Sequence, residues 1–164
     1  MCSTPPTSFV KASSFREITL SAPKCVVYFD PLSAYVVEGR DSQIYCGTLY
    51  EDGIEKHKVA VKVYHPDVEA LFGAEKELKV SQITQGHEGF VRAHYFDKEL
   101  SVWDWMPLGS LDKFIKKRRQ SMNMEAIIVS LAKSIQYLHH SYIVHHDIKP
   151  QNILLSESES AYLI

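Results

Sequence analysis

The most informative stretch of this chain reads His145-His146-Asp147-Ile148-Lys149-Pro150-Gln151-Asn152. An acid, a cation two residues later and a carboxamide five residues later stand on a polar segment between two apolar runs, which predicts a functional loop. A carboxylate can accept or orient a hydroxyl proton, an ammonium can balance phosphate charge, and an amide oxygen can ligate Mg²⁺. These groups suit phosphoryl transfer. The alternative interpretation is a polar hairpin loop without catalytic function.

Upstream of this loop, short runs rich in β-branched and aromatic residues are separated by turn signals, which predicts antiparallel strands. The predicted strands cover residues 26–29, 34–37, 43–50, 58–64, 90–95 and 100–103. Asp52-Gly53 favours a tight hairpin between two of these strands, because both residues tolerate positive φ. In residues 58–64 the alternation places three valines on one face and Ala60, Lys62 and Tyr64 on the other.

A helix is predicted to begin near Asp67, a candidate N-cap. Residues at three- and four-residue steps form its stripe, namely Val68, Leu71, Phe72, Glu75 and Leu78. Glu75 interrupts an otherwise apolar stripe, so we expect it to need a partner. Glu69 and Glu77 fall on the other side of the helix and are interpreted as solvent-facing charges.

The C-terminal part of the chain predicts two helices and a hairpin. Ser110 can cap a short helix that runs toward Arg119. The second helix has a strong apolar stripe formed by Ile127, Ile128, Leu131, Ile135 and Leu138. Residues 153–155 and 161–164 read as the two strands of a hairpin.

Composition limits the class of protein. The chain has 164 residues, of which 45% are hydrophobic and 23% charged, so it suits one folded domain or part of a larger one. The net charge of −2 offers no broad basic field, so we expect no nucleic-acid partner. No apolar stretch is long enough to span a membrane, so we expect no membrane contact and a cytoplasmic location. Residues 1–24 are interpreted as a flexible leader.

The loop at residues 145–152 resembles the catalytic loop of the eukaryotic protein kinase family, which reads H-R-D-x-K-P-x-N in the Ser/Thr branch. The resemblance implies that Asp147 is the catalytic base, that Lys149 contacts the γ-phosphate and that Asn152 ligates Mg²⁺. Residues 59–62, Val-Ala-Val-Lys, are similar to the family's V-A-I-K strand. By this resemblance Lys62 holds the α- and β-phosphates of ATP and pairs with the helix carboxylate, here Glu75.

Residues 102–111 resemble the kinase hinge followed by a G-S-L helix start. The resemblance implies that backbone groups of Asp104 and Met106 bind adenine and that Ser110 lies near the ribose. The apolar side chains implied to enclose the adenine ring are Val36, Ile44, Ala60 and Leu154. Trp103 occupies the gatekeeper position, where an indole is expected to close the space behind the adenine.

Three positions depart from the family pattern. The glycine-rich loop G-x-G-x-x-G falls on Val37, Gly39 and Ser42, so only the middle glycine is present to contact nucleotide. His146 stands where most members have the arginine that reads a phosphorylated activation loop. The family's D-F-G aspartate would come directly after Ile164, so we expect this chain to be an incomplete domain that is inactive or nearly so by itself.

The resemblance therefore implies an α+β, protein kinase-like fold. A five-stranded antiparallel N-lobe with one helix is expected at residues 25–106, and a partial helical C-lobe, with a face left for a partner, at residues 107–164. The implied function is transfer of the γ-phosphate of ATP, with Mg²⁺, to a Ser or Thr hydroxyl of a protein substrate.

Two alternatives remain open. The first is a nucleotide-binding or scaffolding pseudokinase, because the glycine loop is degraded and His146 replaces arginine. The second is a small-molecule phosphotransferase of kinase-like fold, which also uses an acid and an asparagine five residues apart. Lys149-Pro150 favours the protein substrate.

Overall fold

The structure, a computed structural model, describes residues 15–20, 24–117 and 123–164, but not the side chains of residues 68–71. The chain divides into two compact units. Unit 1 contains the described residues up to Val80 together with Ala93–Trp105. Unit 2 contains Ser81–Arg92 and the described residues from Met106 to Ile164.

Unit 1 is an antiparallel sheet with one helix. Its elements in chain order are β1 (Arg16–Thr19), β2 (Cys25–Phe29), β3 (Val37–Glu38), β4 (Ser42–Glu51), β5 (Ile54–Tyr64), α1 (Val68–Thr84), β6 (Ala93–Phe96) and β7 (Leu100–Asp104). The strands are ordered β1-β2-β4-β5-β7-β6, and β3 pairs with the end of β4. Helix α1 ends in unit 2, since its last four residues follow Val80.

The hairpin between β4 and β5 confirms the predicted turn. Asp52 has φ of 51° and Gly53 has φ of 76°, so both central residues adopt the left-handed conformation that a two-residue hairpin requires. The long strands that follow set the register of the sheet. Ile44 lies opposite Lys62, and Cys46 lies opposite Ala60.

The core of unit 1 lies on one face of this sheet. Val59 and Val61 are fully buried there, as the alternation of β5 predicted, and they pack with Val27, Phe29 and Val102. Residues of β5 at even positions lie on the opposite face, so the sequence period of two sets which side chains remain available for a site.

The sheet has more strands than the sequence predicted. Within the described residues it contains seven strands rather than the five expected for the N-lobe; β1 is the strand that no sequence pattern predicted. Residues 16–19 are part of the predicted flexible leader, yet they pair with β2 and bury Ile18. Residues 1–14 and 21–23 of that leader lie outside the described residues. The predicted strand at 34–37 is reduced to β3, which has only two residues.

Unit 2 contains two helices and a small sheet. Its elements are β8 (Gly109–Ser110), α2 (Leu111–Lys117), α3 (Met124–His140), a 3-10 turn (Pro150–Asn152), β9 (Ile153–Leu155) and β10 (Ala161–Leu163). The three strands are ordered β10-β9-β8 and are antiparallel. The backbone N–H of Ala126 donates to the Asn123 side chain at 3.0 Å, which caps the start of α3.

Helix α3 buries most of its predicted stripe. Ile127 and Leu138 are buried with residues of β9 and β10, and Leu131 and Ile135 are half-buried against the same core. Ile128 is the exception, because its side chain is exposed. The predicted extension of α2 to Arg119 lies outside the described residues.

The division between the units differs from the predicted boundary at residue 107. Residues 81–92 belong to unit 2, because hydrogen bonds connect them to α3 and β10. The backbone N–H of Leu163 donates to the Gly89 carbonyl at 2.9 Å, and the Tyr137 hydroxyl donates to the Ile83 carbonyl at 2.9 Å. Among the helices that the structure describes, none has the length and apolar character needed to cross a membrane.

Candidate active site

The loop between α3 and β9 brings together two predicted catalytic side chains, Asp147 and Lys149, and the predicted metal ligand Asn152. Lys149 Nζ lies 2.8 Å from Asp147 Oδ2. The Asn152 amide donates from Nδ2 both to Asp147 Oδ2 and to the Asp147 carbonyl, each at 2.8 Å. One carboxylate oxygen of Asp147, Oδ2, thus receives both the ammonium and the amide, and Oδ1 takes part in neither of these two contacts.

The ends of this loop are fixed by backbone interactions. His145 Nδ1 accepts the backbone N–H of Asp147 at 3.3 Å, and His145 Nε2 lies 2.8 Å from the Ile164 carbonyl. A carbonyl can only accept, so Nε2 carries the proton in this arrangement. The Ile164 N–H donates in turn to the Asn152 carbonyl at 3.1 Å. The last residue of the chain and the first histidine of the loop therefore hold Asp147 and Asn152 in place.

The electrostatics of the loop favour the ionised form of Asp147. The hydrogen bond from Lys149 lowers the pKa of the Asp147 carboxyl, and the hydrogen bond from Asn152 and the nearby positive charge lower it further. Asp147 is therefore a carboxylate at neutral pH, the form that can accept or orient a hydroxyl proton.

His146 takes the position at which the family pattern has arginine, and its backbone is unusual. Its φ is 65°, which is uncommon for a residue with a side chain. The His146 side chain is exposed, whereas that of His145 is half-buried. The two adjacent histidines thus have different roles, since only His145 makes the loop contacts described above.

In unit 1 Lys62 forms an ion pair with Glu77 of α1, not with Glu75. The prediction that Glu75 is the partner is wrong. Glu75 is exposed, and Glu77, which the sequence pattern assigned to solvent, is half-buried at the sheet.

The error arises from which side of α1 faces the sheet. The apolar stripe through Phe72 and Glu75 predicted the inner face, but the Phe72 side chain is 63% exposed. The inner face contains buried Ala74 together with half-buried Glu77 and Leu78. A small alanine lets a helix approach a sheet closely but contributes little to the hydrophobic pattern of the sequence. The apolar stripe therefore predicted the wrong helix face to pack on the sheet. The spacing i, i+3, i+4 from Ala74 is the signal that would have found Glu77.

Sequence reasoning also missed a buried polar network behind the ion pair. The Tyr64 hydroxyl donates to Glu77 Oε2 at 3.1 Å and lies 2.9 Å from Ser101 Oγ. Trp103 Nε1 donates to the same Ser101 oxygen at 2.8 Å. Burial raises the pKa of the Tyr64 hydroxyl, and the negative charge of Glu77 raises it further, so Tyr64 remains a neutral donor.

This network contacts both the ion pair, through Glu77, and the indole of Trp103. Ser101 lies opposite Lys62 across the β5–β7 ladder, and Trp103 lies opposite Ala60. Paired residues share a face of an antiparallel sheet, so the alternation of β7 could have placed Ser101 beside Lys62. The Trp103 ring also packs edge-to-face on Phe96, with 5.2 Å between the ring centroids.

The predicted apolar contacts of unit 1 lie close to Lys62. Ile44 and Ala60 are half-buried on the face that carries Lys62. The backbone N–H of Val36 donates to the Ile44 carbonyl at 2.7 Å, although the Val36 side chain is 46% exposed. Gly39 forms a turn in which its N–H donates to the Ser42 carbonyl at 2.8 Å.

The other predicted nucleotide contacts lie at or beyond the end of β7. Asp104 is the last residue of β7 and pairs with Val59, and the chain passes into unit 2 at Met106. The Met106 carbonyl accepts the Gly109 N–H at 3.0 Å. In unit 2 Ser110 pairs directly with Leu154 across β8 and β9, so these two predicted contacts are neighbours.

The residues present fit the groups that the resemblance implies. The Asn152 amide uses its nitrogen for Asp147, which leaves its carbonyl oxygen as a ligand for a hard cation such as Mg²⁺. The Lys62 ammonium, oriented by Glu77 and flanked by Ile44, suits a phosphate beside an apolar ring.

An antiparallel sheet with a lysine–glutamate pair, together with a loop that gathers Asp147, Lys149 and Asn152, defines the protein kinase-like fold class. Comparison with known proteins agrees. The family model described as protein tyrosine and serine/threonine kinase matches residues 32–163. The chain therefore belongs to this family.

Curated relatives of the chain include plant receptor-like kinases. The chain is 35% identical over 131 residues to the LEAF RUST 10 disease-resistance locus receptor-like protein kinase-like 2.4 of Arabidopsis thaliana, covering 71% of this chain and 20% of that protein. It is 32% identical over 142 residues to the probable L-type lectin-domain containing receptor kinase V.3 of the same plant, covering 77% of this chain and 20% of that protein.

A third relative from Arabidopsis thaliana is a receptor-like serine/threonine-protein kinase. It is 35% identical over 103 residues, which is 60% of this chain and 27% of that protein. The chain thus spans about a fifth to a quarter of the length of these relatives.

Proposed function

We propose that this chain supplies the nucleotide-anchoring and catalytic-loop residues of a protein serine/threonine kinase. The reaction is transfer of the γ-phosphate of ATP to a Ser or Thr hydroxyl of a protein. The observation that carries the proposal is the cluster at Asp147, whose carboxylate lies within hydrogen-bond distance of both Lys149 and Asn152, in the order and spacing of the kinase loop.

The side chains have separate roles in this proposal. Asp147, which is ionised at neutral pH, orients the substrate hydroxyl and accepts its proton. Lys149 balances the charge of the transferring phosphoryl group. Lys62, oriented by Glu77, holds the α- and β-phosphates. The carbonyl oxygen of Asn152 would hold Mg²⁺, which when bound supplies neutralisation of phosphate charge.

The protein substrate is favoured over a small molecule by the Lys149-Pro150 pair and by the kinase relatives. We further propose that the 164-residue chain assayed alone transfers phosphate slowly or not at all. Its residues include no D-F-G sequence after Asn152, and in kinases the aspartate of that motif binds a Mg²⁺ ion.

Two assays on the 164-residue chain test the proposal. The first measures the melting temperature with and without ATP, each with and without Mg²⁺, and we expect ATP to raise it. The second measures phosphate transfer from labelled ATP to a panel of Ser/Thr peptides, with Asp147→Asn as the matched control. We expect incorporation no greater than that of the control.

Each contrary result has a distinct meaning. Robust transfer that Asp147→Asn abolishes would contradict the proposed inactivity of the isolated chain. Transfer to a sugar or an aminoglycoside, but to no peptide, would overturn the protein substrate.

The absence of an ATP-dependent rise in melting temperature would favour a scaffolding pseudokinase. That second candidate has its own support, because β-branched Val37 stands, exposed, at a position where the family pattern has a glycine whose backbone closes over phosphate.

A further inference from the structure

Three side chains with metal-ligating atoms meet at one end of the unit 1 sheet. They are His57 of β5, His94 of β6 and Asp104 of β7. One ligand atom from each lies within 4.8 Å of the other two. His94 Nε2 and Asp104 Oδ1 are 2.6 Å apart, and the ring centroids of His57 and His94 are 5.9 Å apart.

The topology of the sheet explains why these side chains converge. Strand β7 lies between β5 and β6, so the three residues come from three adjacent strands. Asp104 pairs with Val59, and His57 lies two residues before Val59, so both side chains lie on the same face of the sheet. The ladder between β6 and β7 is irregular at His94, between the pairs Ala93–Trp103 and Tyr95–Val102.

The irregularity at His94 is what completes the cluster. In a regular ladder the residue between Ala93 and Tyr95 would have its own partner on β7, whereas a bulge re-aims one side chain. Here it directs the His94 imidazole to Asp104, and only 11% of that side chain is exposed. The Asp104 side chain is 34% exposed and His57 lies at the surface, so an ion can reach the cluster from solvent.

We propose that His57, His94 and Asp104 form a binding site for a divalent first-row transition-metal ion, of which Zn²⁺ is the probe used below. Two imidazoles and one carboxylate are a ligand set that such ions accept, with water completing the coordination. Imidazole nitrogen is a poor ligand for Mg²⁺, which prefers oxygen. The site is therefore separate in chemistry and in residues from the one proposed for Mg²⁺ at Asn152.

Metal binding requires a defined change at the His94–Asp104 contact. In the contact as it stands, an imidazole N–H donates to the carboxylate. To ligate a metal, Nε2 must present its lone pair and the ring must carry its proton on Nδ1. The ion then lies between Nε2 and the carboxylate oxygen, and these atoms separate to about 3.3 Å, as two ligands at roughly 2 Å in a tetrahedral arrangement do.

Metal binding would connect three neighbouring strands of the sheet at the end of β7. A bound ion would link β5, β6 and β7 beside Trp105, the last residue of unit 1 before the chain enters unit 2. Because the ion binds the folded arrangement of these strands, it stabilises unit 1, and the stabilisation grows with the logarithm of the ion concentration once that exceeds Kd.

The test is a calorimetric titration of the tag-free 164-residue chain with ZnCl₂ in the absence of nucleotide. We expect one Zn²⁺ per chain and a rise in melting temperature with Zn²⁺ concentration. Loss of a partner that only orients a ligand weakens metal affinity by about 10–100-fold, so His57→Gln, which removes a ligand, should weaken it by about 100-fold or more. His139→Gln changes an exposed histidine of α3 and should leave the Zn²⁺ affinity unchanged.

A second variant, Asp104→Asn, and an NMR measurement on the unaltered chain test the same site if His57→Gln folds poorly. Asp104→Asn keeps the shape and an acceptor for His94 but removes the charge, and should also weaken Zn²⁺ binding. In the unaltered chain, Zn²⁺ should shift the imidazole ¹⁵N resonances of His57 and His94 and leave those of His139 in place.

The proposal is overturned if the chain binds no Zn²⁺ in the calorimeter. It is equally overturned if His57→Gln and Asp104→Asn bind Zn²⁺ as tightly as the unaltered chain, or if the shifted resonances belong to other histidines. A chain that binds Zn²⁺ but not ATP would uphold this site and remove the proposed kinase function, so the two failures can be told apart.

Discussion

Each unit contains one of the two lysine–carboxylate pairs that the proposed function uses, and the surroundings of the two pairs differ. In unit 1 the side chains of Lys62 and Glu77 are 21% and 37% exposed, and Tyr64 donates a further hydrogen bond to the glutamate. In unit 2 the side chains of Lys149 and Asp147 are 48% and 60% exposed.

This difference in exposure indicates that the unit 1 pair has a structural role that the unit 2 pair lacks. The Lys62–Glu77 pair joins a strand to a helix and is backed by a buried network, so its loss should affect both stability and nucleotide binding. An exposed pair such as Lys149–Asp147 contributes little to stability, because solvent screens it. In our proposal this pair serves the chemistry of the loop.

The largest expected effect compares the two lysines in nucleotide binding. ADP lacks the γ-phosphate, so in our proposal it contacts Lys62 but not Lys149. Lys62→Met removes a charge-assisted hydrogen bond worth about 1.5–3 kcal/mol, which corresponds to an ADP affinity lower by about 10–100-fold. Lys149→Met should leave ADP affinity unchanged. Calorimetric titration with ADP measures the affinity of both variants. Equal losses of ADP affinity in the two variants would contradict the proposed difference between the two lysines.

The next effect concerns the network behind the unit 1 pair. Tyr64→Phe removes a buried hydroxyl that contacts Glu77 and Ser101, and should lower the free energy of unfolding by about 1–2 kcal/mol. Tyr142→Phe is the matched control, because the Tyr142 side chain is 98% exposed. Urea denaturation measures both variants. If Tyr64→Phe were as stable as the control, the network would have no structural role.

The smallest effect is a titration in unit 2. Lys149 is the main cause of the lowered Asp147 pKa, so Lys149→Met should raise the Asp147 pKa toward its ordinary value, and Asn152→Ala should raise it less. Carboxyl ¹³C chemical shifts followed against pH measure this directly. A pKa that did not change in Lys149→Met would show that the two side chains do not interact in solution.

The lowered pKa of Asp147 also determines how the stability of the folded state depends on pH. The folded-state pKa of Asp147 lies below the unfolded value, so the interaction favours the folded state above the unfolded pKa. That contribution is lost as the pH falls through the folded-state pKa. Because the pair is exposed, the accompanying change in stability should be small.

Local patterns predicted the faces of the strands well, because successive side chains of a strand alternate strictly between its two faces. The alternation of β5 placed Lys62 and Ala60 on one face and buried Val59 and Val61 on the other. The Asp52-Gly53 turn followed from the backbone freedom of those residues. The cluster at residues 147–152 was also predictable, since Asp147, Lys149 and Asn152 lie within six positions and both of the latter contact the Asp147 carboxylate.

Features that depend on packing between distant segments were not predictable in the same way. The rotation of α1 is decided by Ala74 and Glu77, neither of which carries an apolar signal. The pairing of β1 with β2 depends on a register that composition does not reveal, so residues 16–19 resembled a leader. The His94 bulge exists only in the assembled sheet, and for that reason the cluster with His57 could not be read from spacing.

The most direct test of the account is ATP affinity in two glutamate variants that differ by two positions on α1. Glu77→Gln removes the partner that orients Lys62, whereas Glu75→Gln changes an exposed carboxylate of the same helix. We expect Glu77→Gln to weaken ATP binding by about tenfold or more and Glu75→Gln to leave it unchanged. Weaker binding in Glu75→Gln together with unchanged binding in Glu77→Gln would contradict the Lys62–Glu77 pair and the site built on it.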